Sequence, residues 1–379
     1  MALIFMKRPK HPREKLVMII SDYPITSEID SDIPYSSASN LTLLSDLHKV
    51  GIKQSDCYCT YLNYERPEKE DYDWHKQFIK IKNQFDIQEG FVKLDFEKNL
   101  YVSEYLYSEL QGLLKEIETV KPKLIIITGK WSLYFLTFCV NYTKTQGTGK
   151  SQKPLGGIAS YRASILKLYD GYSLPECIIM PILPAVTKQR EPSKIPVMQW
   201  DYRKLGDIFK SIVVENENLD VWLKPKRESI IGVDLDLIKE KLIKLLKDLE
   251  KSLLVSIDIE TRHGTIDCIG FSWNKTEGIV IPFSTIDNPN PWSFEEELEL
   301  TLLMLKVLKN KNLQIVGQNF SYDSQYLNKF YMVNLHPYLD TMIANHVLYN
   351  YMQKDLSFLA SIYVNTFSQW KHMQTHEVK

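Results

Sequence analysis

Ser256-Ile257-Asp258-Ile259-Glu260-Thr261 is the stretch that decides how the carboxyl-terminal part of this chain folds. Apolar and polar residues alternate through it, the period of a half-buried strand. That period sends Asp258 and Glu260 to one face. Two neighbouring carboxylates repel each other unless a cation lies between them. Mg²⁺ suits the pair, because it takes oxygen ligands and is usually held by one or two carboxylates. Taken alone, Asp-x-Glu also describes an ordinary solvated strand end, so its surroundings decide.

Upstream, Leu235–Leu253 has the pattern of a long charged amphipathic helix. Leu254–Ile257, Cys268–Trp273 and Gly278–Phe283 are three strands in succession, which predicts an antiparallel meander. Pro291–Leu308 predicts a helix, Gln314–Val316 a short strand and Phe320–Phe330 another helix. Between the last two runs Gly317-Gln318-Asn319-Phe320-Ser321-Tyr322-Asp323. The strand delivers Asn319 to the mouth of the sheet, where it is placed to cap the helix. Asp323, one turn on, can aim its carboxylate back at Asp258. The bland alternative is a capped helix with a surface aspartate.

In combination these segments resemble the proofreading 3′→5′ exonuclease domain of family A DNA polymerases, of the DEDD superfamily. Ser256–Thr261 looks like its first motif and Gly317–Asp323 like its second. Leu339-Asp340-Thr341-Met342 resembles the Asp-Thr-Met segment that follows, and Leu356-Ser357-Phe358-Leu359-Ala360 the next helix. The resemblance covers Val233 to Lys371. It implies a ribonuclease-H-like fold with a mixed sheet and two-metal phosphodiester hydrolysis with Mg²⁺ or Mn²⁺. Asp258 would bridge two ions, Glu260 would hold one and position the attacking water or the 3′ end, and Asp323 would hold the other. Asn319 and Tyr322 would touch DNA, and Asp340 would be structural. The pattern departs from the family at its end. No Tyr-x-x-x-Asp follows Trp370-Lys371, so the fourth carboxylate and the tyrosine of the third motif are missing. The expectation is the front part of a longer polymerase or a split gene product, weakly active or inactive by itself.

The preceding part alternates strand and helix, as an α/β domain with a mostly parallel sheet does. Leu16–Ile20 and Leu124–Thr128 predict buried strands, Cys57–Leu62 and Cys177–Leu183 further strands, and Asn40–Val50 and Val102–Val120 helices; Thr187–Pro196 predicts a loop. Ile19-Ile20-Ser21-Asp22-Tyr23-Pro24-Ile25 looks like a divergent first motif of family 4 uracil-DNA glycosylases. Leu41–Ile52, Thr60–Pro67, Val120–Gly129 and Ile182-Leu183-Pro184 resemble that family's later segments in order. This second resemblance covers Leu16 to Leu205 and implies an α/β/α sandwich. Its functional residues do not carry over. Asp22 stands for the catalytic Glu, Tyr61 for the Asn that reads the uracil edge, and Thr187 for the His that stabilises the departing base. Glu65 replaces an iron–sulfur cysteine, so no cluster is expected. Without those groups a flipped base gains neither recognition nor leaving-group stabilisation, which predicts a degenerate, non-catalytic pocket. The expected organisation is a glycosylase-like domain over 1–222, a linker over 223–232 and the incomplete exonuclease domain over 233–379.

Gly147-Thr148-Gly149-Lys150-Ser151 ends like a phosphate-binding loop, but Lys144 occupies the place of its first glycine. Lys150 is then either a phosphate contact of a basic loop or plainly solvated. The chain has 379 residues, net charge −1 and five cysteines without a CxxC pair. Length allows two or three domains, on the order of 150 residues each. The charge gives no global signature of a nucleic-acid binder, and the cysteines fit a reducing cytoplasm rather than a disulfide framework. No apolar run reaches membrane-spanning length. Expected partners are DNA, as a single-stranded 3′ end or primer-template, with a downstream polymerase polypeptide or replisome proteins and no membrane. The expected setting is the cytoplasm, of the host cell if the chain is of bacteriophage origin. The alternative from another class is a non-enzymatic DNA-binding or replisome-scaffolding protein that retains both folds.

Overall fold

The computed structural model describes residues 6–9, 12–66, 78–80, 89–94, 100–137, 145–146, 153–154, 157–223, 228–232, 234–285 and 288–367. Lys150 lies outside them, as does Trp370-Lys371. Contacts gather the chain into two compact units, Met1–Pro225 with Ala360–Lys379, and Lys226–Leu359.

In the first unit, strands β1 (Val17–Ser21), β2 (Cys57–Tyr61), β3 (Leu124–Ile127), β4 (Leu166–Lys167) and β5 (Ile178–Pro181) form one sheet in the order β2-β1-β3-β5-β4. All neighbours are parallel except the β5–β4 pair. The runs Val17–Ile20 and Leu124–Ile127 are fully buried, as strands covered on both faces must be. Period two then divides them. Val17 and Ile19 pack with helix α1 (Ala38–Lys49) and helix α4 (Ile195–Phe209), through Leu43, Leu47, Met198 and Leu205. Met18 and Ile20 pack with helix α2 (Glu104–Val120) and helix α3 (Lys130–Thr137), through Leu110, Leu113, Trp131 and Phe135. The result is a three-layer α/β/α arrangement. Thr187–Pro196, expected as a loop, instead holds a helical turn over Thr187–Arg190, a second over Pro192–Lys194 and the start of α4. Pro192 and Pro196 stand at the starts of the second turn and of α4, where Pro suits a first helical turn.

The segment from Ala360 closes this unit through backbone and buried polar contacts. The Ile165 N–H donates to Phe367 O at 2.7 Å. Lys204 Nζ donates to Ala163 O and Val364 O at 2.8 and 2.9 Å. Arg162 binds Asp201 at 2.8 Å through one guanidinium nitrogen and Ser361 Oγ at 3.0 Å through the other.

The second unit is built on a six-stranded mixed sheet. Its strands are β6 (Glu228–Ile231), β7 (Leu253–Arg262), β8 (Thr265–Ser272), β9 (Glu277–Pro282), β10 (Leu313–Gly317) and β11 (Leu339–Asp340), in the order β6-β9-β8-β7-β10-β11. The meander β7-β8-β9 is antiparallel, and β10 runs parallel to β7 and β11 parallel to β10. This is the mixed, ribonuclease-H-like sheet expected above. Within the stretch read as a linker, Glu228–Ile231 pairs with Glu277–Val280 as an added parallel strand. Val255, Ile257 and Ile259 of β7 are buried. They join a core with helix α5 (Leu235–Asp248) and helix α6 (Phe294–Leu308), through Leu242, Leu245, Leu300 and Met304.

Candidate active site

The alternation of β7 is realised residue by residue: Ser256, Asp258 and Glu260 are exposed, and Val255, Ile257 and Ile259, alternating with them, are buried. Asp258 pairs with Gly270 on β8, which sets no side chain beside it, and Glu260 pairs with Cys268. A register shift follows between Glu260 and Thr261, and such bulges re-aim the residues around them.

Helix α7 (Phe320–Tyr331) brings the third carboxylate. A Cβ at Gly317 would lie 2.6 Å from the Phe320 ring, so the tight turn from β10 into α7 requires glycine there. Asn319 adopts φ 56° and ψ 42°, a left-handed conformation that Asn tolerates better than most residues. Its side chain makes no cap hydrogen bond, which corrects the expectation that it caps the helix. Asp340 does so instead. Its Oδ1 accepts from the Asn319 N–H at 3.1 Å and its Oδ2 from the Phe320 N–H at 2.8 Å. The same Oδ1 accepts from the Met342 and Ile343 N–H groups at 2.9 and 3.3 Å, starting helix α8 (Thr341–Leu348). One buried carboxylate thus serves two helix N-termini, where negative charge is favoured. Asp340→Ala should lower the unfolding free energy by about 2 kcal/mol, a full cap's worth or more; urea melts measure it, and a loss indistinguishable from zero would contradict the double cap.

With α7 so placed, Asp323 is only 4 % exposed, and its Oδ1 accepts the Ile259 N–H at 3.0 Å. It therefore binds the backbone between Asp258 and Glu260. Burial, with the negative charge of Asp258 adding to it, pushes the Asp323 carboxyl up to about 6. The structure brings Asp323 and Asp258 into electrostatic contact. Glu260 shares the exposed face of β7 with Asp258. Among the described residues no group of three or more His, Cys, Asp or Glu side chains is arranged to hold a metal ion. The donors themselves are all carboxylate oxygens, the chemistry that Mg²⁺ and Mn²⁺ select, and a cation would offset both the burial and the repulsion from Asp258 that raise Asp323.

Tyr322, 43 % exposed, shares a hydrogen bond of 2.6 Å with Thr261 Oγ1. Thr261 was visible in the first motif, but nothing in the sequence signals this cross-element bond.

In the first unit, Asp22 is spent on structure. Its Oδ1 accepts from the Ser132 N–H and Oγ, both at 2.8 Å, and its Oδ2 from the Trp131 N–H at 3.2 Å. It caps α3, and a Cβ on Gly129 would lie 2.0 Å from Asp22 Oδ1. Tyr61 is fully buried. Its hydroxyl donates to Glu28 Oε2 at 2.8 Å and accepts the Tyr35 N–H at 2.9 Å, with its ring stacked on Tyr35. Thr187 is buried in the first turn of its short helix.

Residues 237–377 match the family model described as 3′-5′ exonuclease. This stretch is a 3′-5′ exonuclease domain of that family. Among solved structures, the chain is similar to the catalytic core of RRP6 from Trypanosoma brucei, at 18% identity over 40% of this chain and 38% of that one, with a TM-score of 0.29. It is also similar to Brucella melitensis NrnC with bound Mg²⁺, at 15% identity over 39% and 65% of the two chains, TM-score 0.25. The Aedes aegypti Nibbler EXO domain matches at 12% identity over 41% and 77%, TM-score 0.30. The chain spans less than two thirds of the length of the first of these structures. No curated protein matches.

Proposed function

We propose that the exonuclease domain removes nucleotides from the 3′ end of DNA in the service of a DNA polymerase, with Asp258, Glu260 and Asp323 holding two Mg²⁺ or Mn²⁺ ions. The observation that carries this reading is the Asp323 carboxylate, buried against the Ile259 N–H and facing the charge of Asp258. Bound metal supplies Lewis-acid stabilisation of phosphate charge and a water of lowered pKa. The chain's own residues do the rest. Asp258 offers its carboxylate from a strand and Asp323 from the first turn of a helix. Glu260 projects from the same face of β7 and is placed to orient the water that attacks phosphorus, while the 3′ oxygen leaves. Tyr322, held by Thr261, flanks the position of the terminal nucleotide, and Asn319 borders it at the start of α7.

The substrate is a single-stranded 3′ end or a frayed primer-template, and the polymerase is a downstream polypeptide of the bacteriophage kind acting in the host cytoplasm. The first unit serves there as a non-catalytic relative of uracil-DNA glycosylases. Its mostly parallel α/β/α build supports that reading, and the polar atoms of Asp22 and Tyr61 are already bonded to groups of the fold.

The test is a 5′-labelled single strand incubated with the chain and Mn²⁺. Slow shortening from the 3′ end, lost in Asp258→Ala and in EDTA, is expected. Shortening that survives Asp258→Ala would overturn the assignment, and calorimetric Mn²⁺ binding that is absent from the wild type would favour a scaffolding role. Uracil-containing DNA should be left uncut at its glycosidic bonds.

A further inference from the structure

Helix α7 carries more than Asp323. Tyr322, Tyr326 and Phe330 recur every fourth residue along it, which aligns them on one face. Their rings form a continuous row. Tyr322 and Tyr326 lie 4.9 Å apart between centroids, and Tyr326 and Phe330 lie 6.4 Å apart and within 16° of parallel. Lys329 Nζ sits over the second and third rings, 5.9 Å from Tyr326 and 4.9 Å from Phe330. Tyr322 is 43 % and Phe330 40 % exposed, and Tyr326 is half-buried with part of its ring against the core. The only acid in the helix, Asp323, is buried toward β7. The exposed side of α7 is therefore aromatic, and Lys329 is the one charged residue that the helix itself contributes to it.

From this row we infer a binding track for single-stranded DNA that leads away from the carboxylates, bases on the rings and a backbone phosphate at Lys329. The inference rests on the exonuclease reading for its starting point. Tyr322 is adjacent to Asp323 in the chain and is bonded to Thr261, the residue after Glu260. The track thus begins at the carboxylates, and Tyr326 and Phe330 would meet the nucleotides preceding the terminal one. Charge complementarity favours a polyanion there, since Lys329 is the single cation of the helix and stands on the same face. Spacing selects the single strand. A helix rises about 1.5 Å per residue, so the rings step roughly 6 Å apart along its axis, whereas stacked duplex nucleotides step by about 3.4 Å. An unstacked strand can follow the rings; a duplex cannot. Aromatic platforms of this kind hold bases without regard to sequence.

The experiment measures fluorescence anisotropy of a labelled thymidine dinucleotide and a labelled thymidine dodecamer with the full chain in EDTA, where hydrolysis is blocked. Phe330→Ala and Tyr326→Leu should each reduce the preference for the dodecamer over the dinucleotide on the order of tenfold, in line with base–aromatic stacking. Lys329→Glu should weaken dodecamer binding and flatten its salt dependence. Phe330, being exposed, is the variant least coupled to packing. Dodecamer binding equal to the wild type in both Phe330→Ala and Lys329→Glu would overturn the track. The two readings separate cleanly. If the wild type shortens DNA with Mn²⁺ while those variants bind normally, the track alone fails. If the variants lose binding while no strand is ever shortened, the exonuclease reading fails and the track stands.

Discussion

Arg162→Met should cost about 3–5 kcal/mol of unfolding free energy, the range for removing one partner of a buried ion pair. Arg162 and Asp201 are 5 % and 1 % exposed in their side chains and meet at 2.8 Å. Asp201 Oδ2 has no hydrogen-bond partner, so the guanidinium is the principal compensation for that charge. Burial already pushes Asp201 up to about 6 even with Arg162 present, and burial likewise brings Lys204 down to about 7. Without Arg162 the folded-state pKa of Asp201 rises further above its unfolded value. The penalty therefore stands in full above that raised pKa and shrinks as pH falls toward about 4, where the unfolded carboxyl also takes up its proton. Urea melts at pH 8 and pH 5 should show the larger loss at pH 8. The double variant Arg162→Met/Asp201→Leu should recover much of the loss, because an apolar pair leaves no stranded charge. An Arg162→Met protein as stable as the wild type at pH 8 would show that Asp201 finds another partner. The same contacts hold Ser361 and Val364, so the segment after the exonuclease core helices is part of what stabilises the first unit.

Much of the fold is legible in the sequence because its signals are local. Alternation along Leu253–Arg262 identifies the face that bears Asp258 and Glu260 without knowledge of any neighbour. The buried runs Val17–Ile20 and Leu124–Ile127 declare a sheet covered on both sides for the same reason. The misses occur where one residue type serves two purposes or the partner is remote in sequence. Asn before a helix predicts a cap, yet Asn is also the residue that tolerates left-handed backbone, and at Asn319 the second use prevails. The true cap, Asp340, lies beyond the end of α7 and reaches it only because β11 pairs with β10 at Gly317. The bond between Thr261 and Tyr322 and the Arg162–Asp201–Ser361 cluster depend on tertiary approach, which no short window of sequence encodes. In the first unit the sequence reads Asp22 and Tyr61 as pocket residues; the structure shows Asp22 capping α3 and Tyr61 bonded to Glu28 and Tyr35, partners remote in sequence.

Asp323→Asn should stabilise the metal-free protein at neutral pH while removing its response to Mn²⁺. Asparagine keeps the acceptor for the Ile259 N–H and is neutral, so it bears neither the cost of burying a charge nor the repulsion from Asp258. The pH dependence follows from the raised carboxyl. Asp323 titrates at about 6 in the fold, against roughly 3.9 in the unfolded chain. Between those values the folded state binds more protons, so stability falls as pH rises through the window and the full penalty remains above it. The variant escapes this penalty. Its melting temperature should exceed that of the wild type by on the order of 2–4 °C per kcal/mol relieved at pH 7.5, and the two curves should converge toward pH 4. Saturating Mn²⁺ should reverse the order, because a ligand that binds only the folded state raises the melting point of the protein able to hold it. Proton and metal compete for the same oxygens, so the Mn²⁺ affinity of the wild type should also decline as pH drops below about 6. A variant that melts with the wild type at every pH would show that neither burial nor Asp258 penalises the Asp323 charge. A variant that still gains stability from Mn²⁺ would place the metal elsewhere.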